Sequence, residues 1–246
     1  MPRVDVTITT RDGTCPASVF TPASGAGPWP GIIFYMDAPG IRPVMWEMSQ
    51  RLADDGYLVL LPDLFYRSGP YEPVVPAEAF GDPEKRAAIM AKVYGLDRDK
   101  KVADADAFTA YLAAHPDVKG ERFGATGYCM GGNAALTAGG AFPERFAAIA
   151  SFHGGNLATE DPESPHRFVG EITGRVYVAG SIEDASFPDE QKERLESALT
   201  DAGVHHVVET YPAHHGFAVP DIPSYDAAAA ERHWAALKDL YAATLV

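Results

Sequence analysis

Apolar and polar positions alternate over Val4, Val6 and Ile8, and after a turn at Asp12 and Gly13 the run 15–20 reads as a second strand. The chain therefore opens with a hairpin at a sheet edge. A Gly- and Pro-rich loop follows over 24–30, and then the run 31–36, Gly-Ile-Ile-Phe-Tyr-Met, is continuously apolar, the pattern of a strand buried on both faces. From there strand and helix periods alternate: helix 44–55 ending at Gly56, strand 57–61 stopped by Pro62, helices 83–94 and 98–115, then strand 122–127. In the longer helix Val102, Ala105, Phe108, Tyr111 and Leu112 recur at helical spacing. The alternation continues with helix 130–141, strands 146–151 and 176–179, helix 188–202, strand 205–211 and a final amphipathic helix 225–245.

Eight strands with helices between the later ones predict one doubly wound α/β domain spanning residues 1–246, its sheet mostly parallel and covered by helices on both faces. The segment 62–81, with prolines at 62, 70, 73 and 76, is longer than an ordinary connection. It is expected to be either a lid or binding loop, or a surface excursion stiffened by proline.

Composition narrows the partners. Of 246 residues 46% are hydrophobic and 22% charged, as in a globular protein with a sizeable core. Thirty-four acidic residues against 20 basic ones leave a net charge of -14, a field that repels nucleic acids and anionic membrane surfaces. There are two cysteines, Cys15 and Cys129, and neither a signal-peptide core at the N-terminus nor an apolar run of about 18 residues. The expectation is a cytoplasmic protein with free thiols and a small-molecule partner, as a monomer or homodimer.

The chemistry concentrates at Gly127-Tyr128-Cys129-Met130-Gly131-Gly132, between a predicted strand and a predicted helix. A strand-to-helix turn this tight strains the backbone at its centre and admits only small residues two positions away, which Gly127 and Gly131 supply. Cys129 then projects above the sheet at a helix N-terminus, where the dipole favours thiolate. The amide of Met130 is expected to form half of an oxyanion hole, with a second amide near Ala38, after strand 31–36.

A thiol needs a base, and Tyr211-Pro212-Ala213-His214-His215-Gly216-Phe217 puts histidines after the last strand. His215 is expected to serve, with His214 the alternative. The orienting acid is expected from the loop after the preceding strand, as Asp184 or otherwise Glu183. Nucleophile, acid and base then run in the chain order of a Ser/Cys-Asp-His hydrolase. His205 and His206 fall at a strand start and read as surface or packing residues. His153, ending a strand, borders the pocket or caps a turn. The two histidine pairs lack the spacing of any metal motif, so neither metal nor cofactor is expected.

Together these motifs, with Gly56-Tyr57 through Pro62-Asp63-Leu64, resemble the dienelactone hydrolase family of α/β-hydrolases over nearly the whole chain. The resemblance implies an α/β-hydrolase fold and an esterase of carboxymethylenebutenolidase type with a cysteine nucleophile. It implies that Asp37 stands where the family has a glutamate that contacts the resting thiol and controls its ionisation, unless Asp37 is a turn residue. It also implies that Arg86 binds the substrate's carboxylate. The family's second arginine, four residues after the catalytic histidine, is Val219 here, which points to a less charged ester, lactone or thioester. Thioester hydrolysis and a catalytically silent binding module of the same fold are the alternatives to ester or lactone hydrolysis.

Overall fold

The opening alternation folds as the hairpin β1 (Arg3–Thr10) and β2 (Gly13–Phe20), paired antiparallel from Arg3↔Phe20 to Thr10↔Gly13. The computed structural model describes residues 3–245. Met1 and Pro2, on which the expectation of no signal-peptide core partly falls, and Val246 lie outside the described residues. Next come β3 (Trp29–Tyr35), α1 (Pro43–Asp54), β4 (Leu58–Pro62), α2 (Pro76–Gly81), α3 (Pro83–Tyr94) and α4 (Arg98–Ala114). β5 (Val118–Tyr128), α5 (Met130–Ala141), β6 (Phe146–Phe152), β7 (Arg175–Gly180), α6 (Asp189–Asp201), β8 (His206–Thr210) and α7 (Ala227–Ala242) complete the order. Short 3-10 turns stand at Tyr66–Ser68 and Pro165–Glu171.

The eight strands form one sheet in the order β1-β2-β4-β3-β5-β6-β7-β8. Only the β1/β2 and β2/β4 pairs are antiparallel; from β4 to β8 every pair is parallel. Parallel strands need cover on both faces, and they have it. Leu112 of α4 packs under Gly31 on one face, while Tyr241 of α7 packs over Gly124 on the other. Trp234, Leu237 and Tyr241 of α7 are buried, each worth about 1.5–3 kcal/mol of apolar transfer. Aspartates start three helices: Asp82 caps α3, Asp97 caps α4 and Asp226 caps α7. Among the described residues no helix is long and apolar enough to cross a membrane.

Two departures from the sequence pattern matter. The segment 62–81 is not wholly irregular: it ends in α2, whose six residues bury only Pro76 and Ala79 and so carry no readable period. β5 begins at Val118 instead of 122, since Trp29 and Pro30 pair with Val118 and Lys119 although residues 119–122 are exposed. Neither change moves the sheet's C-terminal edge. The chain crosses from β4 on one side of β3 to β5 on the other, which opens a crevice above the carboxyl ends of the strands.

Candidate active site

Cys129 follows the last residue of β5 with φ 55° and ψ -120°, a left-handed conformation that side chains rarely adopt. The neighbouring glycines make that turn possible. A Cβ on Gly127 would lie 2.0 Å from the Gly131 carbonyl oxygen, and one on Gly131 would lie 2.3 Å from that of Tyr35. Strand, turn and helix thus touch backbone to backbone, and the Cys129 carbonyl accepts from Gly132 N at 3.1 Å and Gly155 N at 3.3 Å. Met130 is the first residue of α5, so its N–H has no partner within the helix.

Two loops bring the other groups. His215, after β8, donates its Nδ1–H to Asp184 Oδ2 at 2.8 Å, and the Ser224 hydroxyl donates to its backbone oxygen. Asp184, after β7, also accepts from the hydroxyls of Ser181 and Ser186, each at 2.6 Å, and from Ser186 N at 2.9 Å. Burial pushes this carboxyl up, but the His215 contact and the two hydroxyls outweigh it and hold it well below the usual carboxylate range. Burial likewise pushes His215 down, yet the charges of Cys129 and Asp184 and hydrogen bonds to both carry it up to about 10. His214 is on the outside, 60% exposed and 3.9 Å from the exposed Glu183. His206 spends its Nδ1 on the Val204 carbonyl, far from this loop.

Cys129, His153 and His215 line a cavity of about 460 Å³ whose other walls are mostly apolar, among them Ala38, Pro39, Phe80 and Ile222. Two further cavities, beside Trp46 and beside Trp234, measure about 500 and 630 Å³ and hold no nucleophile and base together. Size does not pick the site; chemistry does. α2 supplies one wall through Ala77, Phe80 and Gly81, so the proline-rich excursion contributes to the cavity. His153 is buried with φ 39°, and neither ring nitrogen has a partner among the described residues. Burial, then repulsion from His215, keeps it neutral, well below the ordinary histidine value.

Asp37 stands at the cavity but is engaged by another partner, and Arg86 stands away from it. Asp37 lines the cavity, but both its carboxylate oxygens are held by Arg42, at 2.6 and 2.9 Å, so its charge is engaged by a guanidinium and not by the thiol. The arginine five residues along the same loop reaches the short aspartate first. Burial pushes the Asp37 carboxyl up while the guanidinium pulls it back. Arg86 is exposed on α3, and the cavity takes Ala77, Phe80 and Gly81 from α2 and no residue from α3. Val219 is fully buried and offers no charge.

Arg42, Asp221, Ser181 and Ser186 were not foreseen. The serines flank Asp184 at positions from which hydroxyls reach it, a signal present in the sequence. Arg42 and Asp221 lie 179 residues apart, and no local pattern joins them. Among the described residues no group of three or more His, Cys, Asp or Glu is placed to hold a metal ion.

The chain matches the model of the dienelactone hydrolase family over residues 15–245. A Synechocystis protein named "Putative carboxymethylenebutenolidase" is 30% identical over 226 residues, 87% of this chain and 86% of that one. A carboxymethylenebutenolidase from a Pseudomonas species is 35% identical over 111 residues, covering 45% of this chain and 44% of that one. The crystal structure of a dienelactone hydrolase-like promiscuous phosphotriesterase from metagenomic libraries superposes with a TM-score of 0.80 at 26% identity, covering 99% of both chains. Sheet order, the strained turn at Cys129 and these likenesses agree: the chain belongs to the dienelactone hydrolase family and is a hydrolase of the α/β fold.

Proposed function

We propose that the chain hydrolyses small esters or lactones by acyl transfer through Cys129, His215 and Asp184. The observation that carries this reading is a cysteine at positive φ sharing one cavity with a histidine whose other nitrogen is tied to a buried aspartate at 2.8 Å. His215 takes the proton of the Cys129 thiol on Nε2, the thiolate attacks the carbonyl carbon, and the oxyanion is received by the amides of Met130 and Ala38. The carbon–oxygen bond to the leaving group then breaks, and His215 gives its proton to the departing alkoxide. Water attacks the resulting thioester, His215 takes its proton, and the sulfur leaves as thiolate. Asp184 keeps the proton on Nδ1 and stabilises the charged ring.

A thiolate leaves more readily than an alkoxide or an amine anion. The tetrahedral intermediate therefore goes forward only when the other leaving group is itself stabilised, as in an enol-lactone or an aryl ester. That preference agrees with the enol-lactone ring in the carboxymethylenebutenolidase name of the relatives, though not with its carboxyl group, and disfavours peptides.

The test is hydrolysis of 4-nitrophenyl butyrate by the wild type and Cys129→Ala, with mass spectrometry of the rapidly quenched wild type. The expected result is loss of activity in the variant and an acyl adduct on Cys129. Undiminished activity without an adduct overturns the reading and favours a binding module with incidental esterase activity.

A further inference from the structure

Arg42 is buried, and every N–H of its guanidinium is engaged. Nη1 donates to Asp37 Oδ1 at 2.6 Å and to the Gly40 carbonyl at 2.9 Å; Nη2 donates to Asp37 Oδ2 at 2.9 Å and to Asp221 Oδ1 at 2.8 Å. Nε donates to Asp221 Oδ2 at 2.7 Å. These bonds use all the donors a guanidinium has, so Arg42 keeps none for a ligand. One cation faces two carboxylates, and the cluster carries an excess negative charge.

Its position gives that charge a consequence. Asp37 lines the cavity and leads into Ala38 and Pro39 on one wall; Asp221 leads into Ile222 and Pro223 on another. The cluster clamps the two walls together, with Asp37 buried and the Asp221 side chain 35% exposed. No lysine or arginine lines the cavity among the described residues. An acyl group carrying a carboxylate would lose water in an apolar space where the one cationic side chain, His215, is already held by Asp184, and would meet the carboxylate of Asp37 in the wall.

We propose that the site takes uncharged acyl groups and rejects carboxylate-bearing ones, and that Asp221, seated as the second carboxylate of Arg42, sets this selectivity. This rests on Cys129 being the nucleophile. Asp221 immediately precedes Ile222 of the cavity wall, while neither its carboxylate nor Arg42 lines the cavity, so its charge acts on the acyl group across that wall and not by contact.

The experiment compares 4-nitrophenyl 5-methylhexanoate with the 4-nitrophenyl half-ester of glutaric acid, which match in shape and differ in charge. Wild-type kcat/KM is expected to favour the neutral ester by about tenfold or more. Asp221→Ala leaves Nε and one Nη2 donor open, and the ratio is expected to fall by about tenfold. Glu144→Gln removes an equal charge from an exposed turn before β6, at the opposite edge of the sheet, and is expected to keep the wild-type ratio. Each variant is read as its own ratio, so a general loss of activity cancels. Where Asp221→Ala does not hold its circular dichroism spectrum, Asp221→Asn makes the same comparison, since it removes the charge and keeps an oxygen for Arg42.

Equal rates on the two esters in the wild type overturn the proposal. So does a ratio that Asp221 substitution leaves unmoved, or one that Glu144→Gln shifts as far. Failure of the parent reading has a different signature: no adduct on Cys129 with either ester, whatever the ratio.

Discussion

Asp184 accepts the Nδ1–H of His215 at 2.8 Å from a nearly buried position, which leaves Nε2 as the nitrogen available to the cavity. The two serine hydroxyls on the same carboxylate hold it in place. Asp184→Asn presents an amide that cannot accept all of these donors and favours the wrong imidazole tautomer. We expect kcat on an activated ester to drop on the order of 10⁴-fold with the fold intact. A loss of less than about tenfold, with an unchanged circular dichroism spectrum, would remove Asp184 from the proposed mechanism.

His215 is carried up to about 10 against the effect of burial, first by the charge of Cys129 and then by Asp184. Removing the sulfur removes the largest of the raising influences. In Cys129→Ala the ring should therefore titrate at clearly lower pH than in the wild type, with Asp184 still holding it above where burial alone would put it. Following the His215 ring protons by NMR across pH 5 to 11 checks this, and superposable curves would mean that the sulfur carries no charge beside the ring.

The backbone contacts around the turn make a stability prediction. A methyl on Gly131 would stand 2.3 Å from the Tyr35 oxygen and 2.5 Å from that of Met36, both main-chain atoms at the end of a central strand. Nothing flexible can give way. Gly131→Ala should cost about 3 kcal/mol or more by urea unfolding.

The same contacts explain why the turn is legible from sequence: sterics there demand small residues at fixed offsets, and Gly127 and Gly131 stand at those offsets. The sheet is legible because β3, β4, β6 and the inner half of β5 are buried on both faces and so must be continuously apolar. α2 is not legible, being one and a half turns long with two buried residues. Nor is the pairing of Arg42 with Asp37 and Asp221. Every charge in that cluster has the bland appearance of a turn residue until the fold brings the 37–42 and 221–223 segments together. For that reason Asp37 invites assignment to the thiol, and Arg86, at a suitable spacing along the chain, invites assignment to the substrate.

Arg42 also makes an energetic prediction. Its side chain and that of Asp37 are only 2% and 3% exposed, so Arg42→Met strands a carboxylate in the interior. The expected cost is about 3–5 kcal/mol. Because the stranded Asp37 is stabilised by taking up a proton, the deficit should shrink as pH falls from 7 to 5, and Arg42→Met combined with Asp37→Asn should recover part of it. Urea unfolding of the single and double variants at both pH values measures this. A deficit that does not change with pH would show that Asp37 is not the stranded group.

His233 sets a second pH dependence, of a different origin. It is buried between α7 and the sheet, donates Nδ1–H to the Ala230 carbonyl, and so accepts from the Tyr128 hydroxyl at Nε2, 3.0 Å away. Burial lowers its pKa from 6.5 to about 3, so the folded protein keeps the ring neutral where the unfolded chain would protonate it. The contribution is complete above pH 6.5 and is lost as pH falls toward 3, because the unfolded state then binds the extra proton. Between pH 6.5 and 5 this amounts to at most about 2 kcal/mol, in a range where most exposed carboxylates have not yet titrated. His153 acts in the same direction. His233→Gln retains a donor and an acceptor without a titrating ring, so its stability should fall less steeply over that interval, by about one proton's worth of slope. Parallel stability-against-pH lines for the two proteins would show that His233 is not kept neutral by the fold.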